Sequence, residues 1–560
     1  MVIESATGFF HAGKEVGDYG AHQHEYAMER TPTLQPIETF QTTYEQPMEG
    51  KLYQNGVLVL QPAASRDPKD PMNLPLSRKL GGVICLSFFG ALAASAEIIL
   101  GALLPVFALN YSTLPVSVLW TTFADGFPEG SISLSFLQIV PGCPPIVEIF
   151  LLAALPVLMI GLSNLFLVPF AIAIGRRPVL LVTGCIAIAG AVWAGKSESL
   201  GSHLAARCVQ ALGAGTVESL IPFIIQDMIH VHERNTWISA AFACQGVIII
   251  AIGFSAPYMV VNLSWRWIYY VTAIGGGFFL TGTFFFLPET RWNRTRSEMN
   301  GIPRDDAGVE YTPRTWLYDL MPFHGPVNMT KGLFALLDTL RTFFYPQILF
   351  ITLLNSAMIS TAFSASYTTA PALLTKPWSW RFQNLGLCLV PVLISAIICG
   401  AVTGAVADKF ANWCAKKRGS REPENQLVNL ILPTILGLCG AVMFGIAGNN
   451  PSKYHWIILL VGLGFMAFGF LGANSVGAVY VLECYPHLAG PALVNIAAFR
   501  CIFAFCLTFY VADWIIAMGY LNTFLIYAGL IAGLSLALPV VYIFGPAWRR
   551  RWPATNLGRH

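Results

Sequence analysis

Residues 148–196 read EIFLLAALPVLMIGLSNLFLVPFAIAIGRRPVLLVTGCIAIAGAVWAGK. Two apolar runs, 148–171 and 177–195, flank the turn Gly175-Arg176-Arg177-Pro178. About 20 apolar residues in helical form cross roughly 30 Å of hydrocarbon. A backbone in lipid must pair its own N–H and C=O groups, so each run predicts a transmembrane helix. Together they predict a hairpin whose basic turn marks the cytosolic side.

Ten further runs of the same kind lie at 81–108, 202–228, 237–261, 267–287, 346–373, 384–408, 428–448, 455–482, 491–513 and 521–544. The expected fold is therefore an all-α membrane protein, with twelve transmembrane helices in two pseudo-symmetric six-helix bundles. The expected domains are a largely disordered cytosolic tail (1–79), an N-terminal bundle (80–288) and a cytosolic central loop (289–345) with one surface helix. A C-terminal bundle (346–545) and a cytosolic tail (546–560) follow. Residues 1–79 hold no long apolar core, so the first span is expected to act as an uncleaved signal.

Only 11% of the 560 residues are charged and 55% are hydrophobic. A soluble domain carries about 25% charged residues, so this composition suits a chain whose largest surface faces lipid. The net charge of +3 gives no reason to expect nucleic acid as a partner. With the N-terminus in the cytosol, 26 Lys and Arg fall on the cytosolic side and five (Lys196, Arg266, Lys376, Arg381, Lys453) on the other. That bias is what the positive-inside rule expects. Asn110-Tyr-Ser and Asn262-Leu-Ser lie on the outer side as glycosylation sequons, whereas Asn293 and Asn328 lie in the cytosol and are expected to stay bare. The segment 109–147 contains Asp125 and Glu129 and no Lys or Arg, and reads as an outer loop. The twelve Cys include no Cys-x-x-Cys pair and read as small hydrophobes. No phosphate-binding loop, Gly-x-Ser-x-Gly elbow or His-Glu-x-x-His motif is present, so neither enzyme chemistry, a cofactor nor a metal is expected.

Several local motifs carry a family likeness. Gly175-Arg176-Arg177-Pro178 resembles the end of the G-x-x-x-D-R-x-G-R-R motif of the major facilitator superfamily, though Ile172 and Ala173 stand at its acid and base positions. Gly404-Ala-Val-Ala-Asp408-Lys409 resembles the first part of the same motif in the second half. Arg207-Cys-Val-Gln210-Ala-Leu-Gly213 resembles the R-x-x-Q-G-x-G motif of the fourth helix. Asp67-Pro-Lys-Asp-Pro-Met-Asn-Leu-Pro75, Asp227-Met-Ile-His230-Val-His232-Glu233-Arg234 and Leu287-Pro-Glu-Thr-Arg-Trp292 look like stretches of fungal members. The likeness covers 67–545 and points to the fungal drug:proton antiporter-like branch. Gly253-Phe-Ser-Ala-Pro257 keeps the proline of that branch's fifth-helix motif but not most of its glycines.

A charge at mid-membrane costs at least about 2.5–3.5 kcal/mol on insertion scales, so each calls for a reason. Arg207, Gln210 and Glu218 share one face of the fourth span and are expected to face a central cavity, to bind substrate charge or, for Glu218, to take up a proton; alternatively they fix packing. Glu97 either lines that cavity or pairs with Arg500 of the eleventh span. Thr352, Ser356, Ser360 and Ser364, with Asn355 and Tyr367 beside them, either line an aqueous path or bond to their own helix. Asn474 joins the same set of pathway candidates. Asp227, Glu483 and Asp513 read as solvated helix ends. The gating set implied by the resemblance is Gly175, Arg176, Arg177, Gly404, Asp408 and Lys409.

The expected function is a secondary transporter that rocks its two halves about a midplane site. Proton-coupled efflux of a drug, toxin or secondary metabolite is the first reading, and proton-coupled uptake of an organic cation or nutrient is the second. A non-transporting sensor with the same fold is the reading from another class. The expected partners are a small-molecule substrate, a proton and the lipid bilayer, with a monomer as the working unit. The expected place is the plasma membrane, or alternatively the vacuolar membrane.

Overall fold

The computed structural model describes residues 53–54, 57–58, 62–112, 142–294, 298, 309–321, 323–324, 327–406, 413, 422–485 and 488–552. Within these ranges the side chains of 53–54, 57–58, 93–100, 102, 218, 231–232, 234–236, 239, 243, 404–406 and 489 lie outside the description. The tail up to 52, most of the expected outer loop and the pair Asp408 and Lys409 therefore lie outside it, as do the side chains of Glu97 and Glu218.

A two-residue pairing joins β1 (Tyr53–Gln54) to β2 (Val57–Leu58). Six long helices follow: α1 (Leu76–Asn110), α2 (Ile146–Ala173), α3 (Arg176–Lys196), α4 (Leu200–Met228), α5 (Val231–Asn262) and α6 (Arg266–Phe286). Two short helices occupy the central segment, α7 (Trp316–Leu320) and α8 (Met329–Phe343), where the sequence suggested one. The second half contains α9 (Pro346–Leu374), α10 (Leu389–Gly400), α11 (Ile431–Asn449), α12 (Trp456–Cys484), α13 (Ala489–Thr508), α14 (Val511–Ser535) and α15 (Leu538–Arg551). A 3₁₀ stretch, Phe382–Cys388, leads into α10, a π-helical turn, Ala401–Val406, follows it, and a second 3₁₀ stretch, Pro423–Leu430, leads into α11.

Among the described residues, eleven stretches are long and apolar enough to cross a membrane, and α1, 35 residues long, covers the first predicted span. Polar side chains start several elements where the chain needs a cap: Ser199 accepts from Ser202 N–H, Thr315 from Tyr318 N–H, and Asn328 from Lys331 N–H. The stretch 514–520, expected as a loop, is helical within α14 except at Gly519, whose φ is +80°. Trp514-Ile-Ile-Ala-Met518 contains nothing that stops a helix, and glycine alone takes the left-handed turn cheaply.

Small residues let helices meet backbone to backbone, the usual device where lipid supplies no hydrophobic drive between helices. Gly440 of α11 faces Gly462 of α12, and a Cβ at 440 would stand 2.6 Å from the Gly462 carbonyl oxygen. Gly161 of α2 meets α13 in the same way, 2.7 Å from the Ala498 carbonyl oxygen.

The apolar core is distributed unequally. On the face away from the tails, one cluster joins both halves: Phe107, Phe150 and Tyr269 pack in the same body as Tyr367, Leu373, Leu385, Phe444 and Phe524. On the tail face the core is divided. One cluster draws on residues between Leu74 and Leu287, and a separate one on residues between Tyr345 and Val541. A small group at mid-depth, including Val157, Ile160, Ala211, Ile359 and Cys501, links the halves between these levels.

Candidate functional site

On the tail face, the turn between α2 and α3 is held by a carboxylate from outside it. Glu289, just past α6, accepts from Arg176 N–H at 3.0 Å, Arg177 N–H at 3.1 Å and Arg291 N–H at 2.8 Å. The first two are orphan donors at the start of α3, so Glu289 acts as its N-cap across the fold. Gly175 has φ +142°, and a Cβ there would lie 2.4 Å from Glu289 Oε2. The motif therefore needs its glycine both for backbone shape and for room.

The two arginines of the motif have different tasks. Arg176 forms an ion pair with Asp227 at the end of α4, Nε to Oδ2 3.1 Å, and Thr290 Oγ1 donates to the same oxygen at 3.3 Å. Asp227 is thus an ion-pair partner rather than a solvated helix end. Arg177 is buried; its guanidinium donates to the carbonyls of Met321 (2.9 Å), Phe284 (2.6 Å) and Asp319. Asp319 in turn accepts from Arg314 Nε at 2.7 Å and pairs with Arg78. Arg291 donates to the Ala173 and His324 carbonyls. The expected fungal stretch before α1 joins the same assembly. Asp70 caps Pro71–Asn73 through Met72 N–H, accepts from Ser65, and takes a two-pronged ion pair from Arg294. Sequence reasoning quoted these motifs singly and missed that Glu289, Asp227 and Asp319 join them.

Deeper in the N-terminal half, Arg207 is buried. Its Nη1 donates to Gln210 Oε1 at 2.9 Å, and the guanidinium lies 5.9 Å from the centre of the Tyr269 ring. Nε and Nη2, the side edge that can grip two oxygens of one anion, are buried with no hydrogen-bond partner. One turn away, His203 bridges Tyr111 OH at 2.9 Å and Tyr269 OH at 2.8 Å and stacks on Trp265. The sequence reading did not single out His203; a histidine four residues before a buried arginine on one helix face was its available signal. Gln210 and Thr272 also line a cavity of about 20 Å³ between α1, α3, α4 and α6, room for about one water. Gly213, the last motif position, packs: a Cβ there would lie 2.4 Å from Ala187 N and from the Thr183 carbonyl oxygen of α3.

The second half holds its own buried arginine. Arg500 of α13 donates to Asn474 Oδ1 of α12 at 2.7 Å and lies 5.9 Å from the Phe470 ring centre. Asn355 of α9 is fully buried and neither end of its amide has a hydrogen-bond partner. It stands near α12, where a Cβ at Gly477 would be 3.6 Å from its Nδ2.

The hydroxyls of α9 mostly bond to their own helix: Thr352 to Ile348 O at 2.7 Å, Ser356 to Thr352 O at 2.6 Å, and Ser360 to Ala357 O at 3.0 Å. Ser364 instead meets Tyr527 OH at 2.9 Å, and Tyr367 reaches the Ala153 carbonyl of α2 at 3.4 Å, inside the joined core. Gly404 falls in the π-helical turn. Asn110 ends α1 and accepts from Trp265 Nε1 at 3.3 Å. Asn262 ends α5, exposed, with its amide donating to the Tyr258 carbonyl at 2.9 Å.

The family model of the Major Facilitator Superfamily matches residues 86–506. An uncharacterized MFS-type transporter of Schizosaccharomyces pombe is 23% identical, covering 90% of each chain. The multidrug transporter TPO1_2 of Candida glabrata is 22% identical, covering 87% of this chain and 78% of its own. Among solved structures, a D-xylose-proton symporter superposes with a TM-score of 0.54 at 14% identity, covering 82% of this chain and 97% of that one.

Proposed function

The chain belongs to the Major Facilitator Superfamily, and from that premise we propose that it exports a small organic solute by proton-coupled alternating access. It is a multi-pass integral membrane protein and a transporter rather than an enzyme. The observation that carries the mechanistic reading is the uneven core, continuous across the halves on one face and divided on the other. Two rigid bodies that share a core at one end only are suited to rocking about that end.

The buried arginines supply candidate contacts for the solute. Arg207 has an open two-pronged edge, and Arg500 with Asn474 and the unpaired Asn355 gives the second half polar groups of its own. The name of the Candida glabrata relative, a multidrug transporter, supports a drug-like compound as the solute. The basic bias of the tail face supports cytosolic termini; the plasma membrane is the proposed place, with the vacuolar membrane as the alternative. Glu97 and Glu218 are the proposed proton carriers, since a carboxylate within the sequence of a membrane span is costly and calls for a role.

Reconstitution into vesicles with an imposed pH gradient tests the coupling. Glu218→Gln is expected to abolish the pH dependence of flux while the protein still folds; unchanged dependence removes Glu218 from the path. A deletion strain grown across toxic compounds and limiting nutrients tests direction. Sensitivity to a compound supports export, and a growth defect on one nutrient supports uptake instead. Binding without flux would turn the reading to a sensor.

A further inference from the structure

Helix α8 is built inside out. Its buried face consists of Gly332, Asp338, Thr339 and Thr342, small or polar residues. A stripe of its large apolar residues points the other way: Met329, Leu333, Leu337, Leu340 and Phe344 just beyond its end are 39–74% exposed. At 100° per residue these five fall within an arc of about 80°, roughly opposite the buried face. Arg341 and Thr330 are exposed on the flank between the two faces, and Lys331 is exposed in the first turn, on the side of the buried face, where its Nζ meets Asn293 Oδ1 at 3.4 Å. A helix in water would bury such a stripe and expose its threonines.

The buried face seats α8 on both halves of the molecule. Gly332 lies against α2, where a Cβ would come 2.8 Å from Ala173 Cβ and from the Pro169 carbonyl oxygen. At the other end Asn495 of α13 donates to the Thr339 carbonyl at 2.8 Å, and Phe343 packs on Phe499 with ring centres 4.3 Å apart. The exposed stripe continues the lipid-facing surface of α2, whose Phe166 and Phe170 are also exposed. Three sectors result: one toward protein, one apolar, and between them a polar flank that carries Arg341.

We propose that α8 lies in the boundary between headgroups and acyl chains of the tail-side leaflet. There its stripe is in lipid, and Lys331 and Arg341 face anionic headgroups. The occupant is the bilayer, because one helix offers an apolar sector continuous with the lipid-facing helices, with Arg341 on the flank beside it and Lys331 exposed at its start. The helix touches α2 in one half and α13 in the other on the face where the core is divided. The leaflet thereby gains a hold on the separation of the halves. This inference rests on the membrane fold and is independent of solute and direction.

The test uses the full chain in a background without its native cysteines, in nanodiscs of phosphatidylcholine with or without an equal part of phosphatidylglycerol. Spin labels are placed singly by Leu337→Cys, Leu340→Cys and Lys331→Cys, and relaxation by oxygen is compared with relaxation by a water-soluble nickel chelate. The labels at 337 and 340 should favour oxygen several-fold, the label at 331 should favour nickel, and phosphatidylglycerol should draw the 337 label deeper. Equal nickel access at 337, 340 and 331 overturns the placement. Spin–spin broadening at 337 would instead show a second copy covering the stripe and also overturns it. Adding Lys331→Glu and Arg341→Glu should abolish the deepening by phosphatidylglycerol. Persistence of that shift, or its absence in the native sequence, overturns the role given to anionic headgroups.

Discussion

The two faces of this molecule hold their parts together by different chemistry. Away from the tails, α1, α2, α9, α11 and α14 of both halves share one apolar core. On the tail face the two cores are separate, and the N-terminal half is fastened by carboxylates and guanidinium groups from the turn at 175, the end of α4 and the central segment. An apolar seal is non-directional and scales with area. An ionic assembly depends on each donor meeting its acceptor and tolerates little displacement. The first suits surfaces that part and rejoin, and the second suits a half that moves as one body.

The largest expected effect comes from wedging the seal. Gly386, in the 3₁₀ stretch before α10, lies against α5 of the other half, where a Cβ would stand 2.5 Å from the Phe254 carbonyl oxygen. That neighbour is backbone, so it cannot rotate away. Gly386→Leu should force α5 and α10 apart at a cost of about 1–3 kcal/mol, a shift of about 5–150-fold in the balance of end states. Transport should fall by a comparable factor. Labelling of a cysteine in the seal by an impermeant maleimide should rise. Unchanged labelling with unchanged flux would mean that this contact does not close the face.

A smaller effect is expected on the ionic side. Glu289→Gln keeps one acceptor oxygen where the carboxylate serves three backbone N–H groups. Leaving a buried donor unmet costs about 1–3 kcal/mol. The detergent-solubilised protein should melt roughly 1–3 °C lower, read by fluorescence-detected gel filtration after heating. The end-state balance should hardly move, because the damage stays within one half. A large rise in maleimide labelling of the seal in Glu289→Gln would erase the distinction between the faces.

Hydropathy made the helices legible, because a lipid-spanning segment must be apolar along its whole length. The motif glycines were named from the resemblance, but why they are needed, the φ of +142° at Gly175 and the close backbone approach at Gly213, shows only in the structure. What the sequence concealed was pairing over distance. Arg177 finds the Asp319 carbonyl 142 positions away, and nothing local marks that segment as its partner. The hydroxyl stripe of α9 was ambiguous for a different reason: a serine in a helix can always bond one turn back, and Thr352, Ser356 and Ser360 do so. Arg207 could be named from its motif, but the open edge of its guanidinium follows from where Gln210 and Tyr269 happen to stand.

The smallest expected effect separates the faces by pH. His324, in the central segment, donates from Nε2 to the Tyr318 carbonyl at 2.7 Å, and its own carbonyl accepts from Arg291 at 2.9 Å. Its Nδ1 is buried with no partner. Burial lowers the imidazole pKa below its ordinary value of 6.5, outweighing the hydrogen bond to the Tyr318 carbonyl and the Glu289 charge that raise it, and the Arg177 charge adds to the fall. Below about pH 6.5 the unfolded imidazole takes up a proton that the docked one resists. The stability from docking is therefore full above that pH and is lost as pH falls through it. A drop from pH 7.5 to 5.5 should lower melting of the native protein by roughly 1 °C more than that of His324→Gln, whose amide can still donate to Tyr318. Replacing His324 leaves the seal's own buried histidine, His203 beside Tyr269 and Trp265, the same in both proteins, so the labelling rate of the seal, corrected for thiol ionisation, should be the same in both across that range. A pH-dependent difference in seal labelling between them would show that the central segment controls the far face as well.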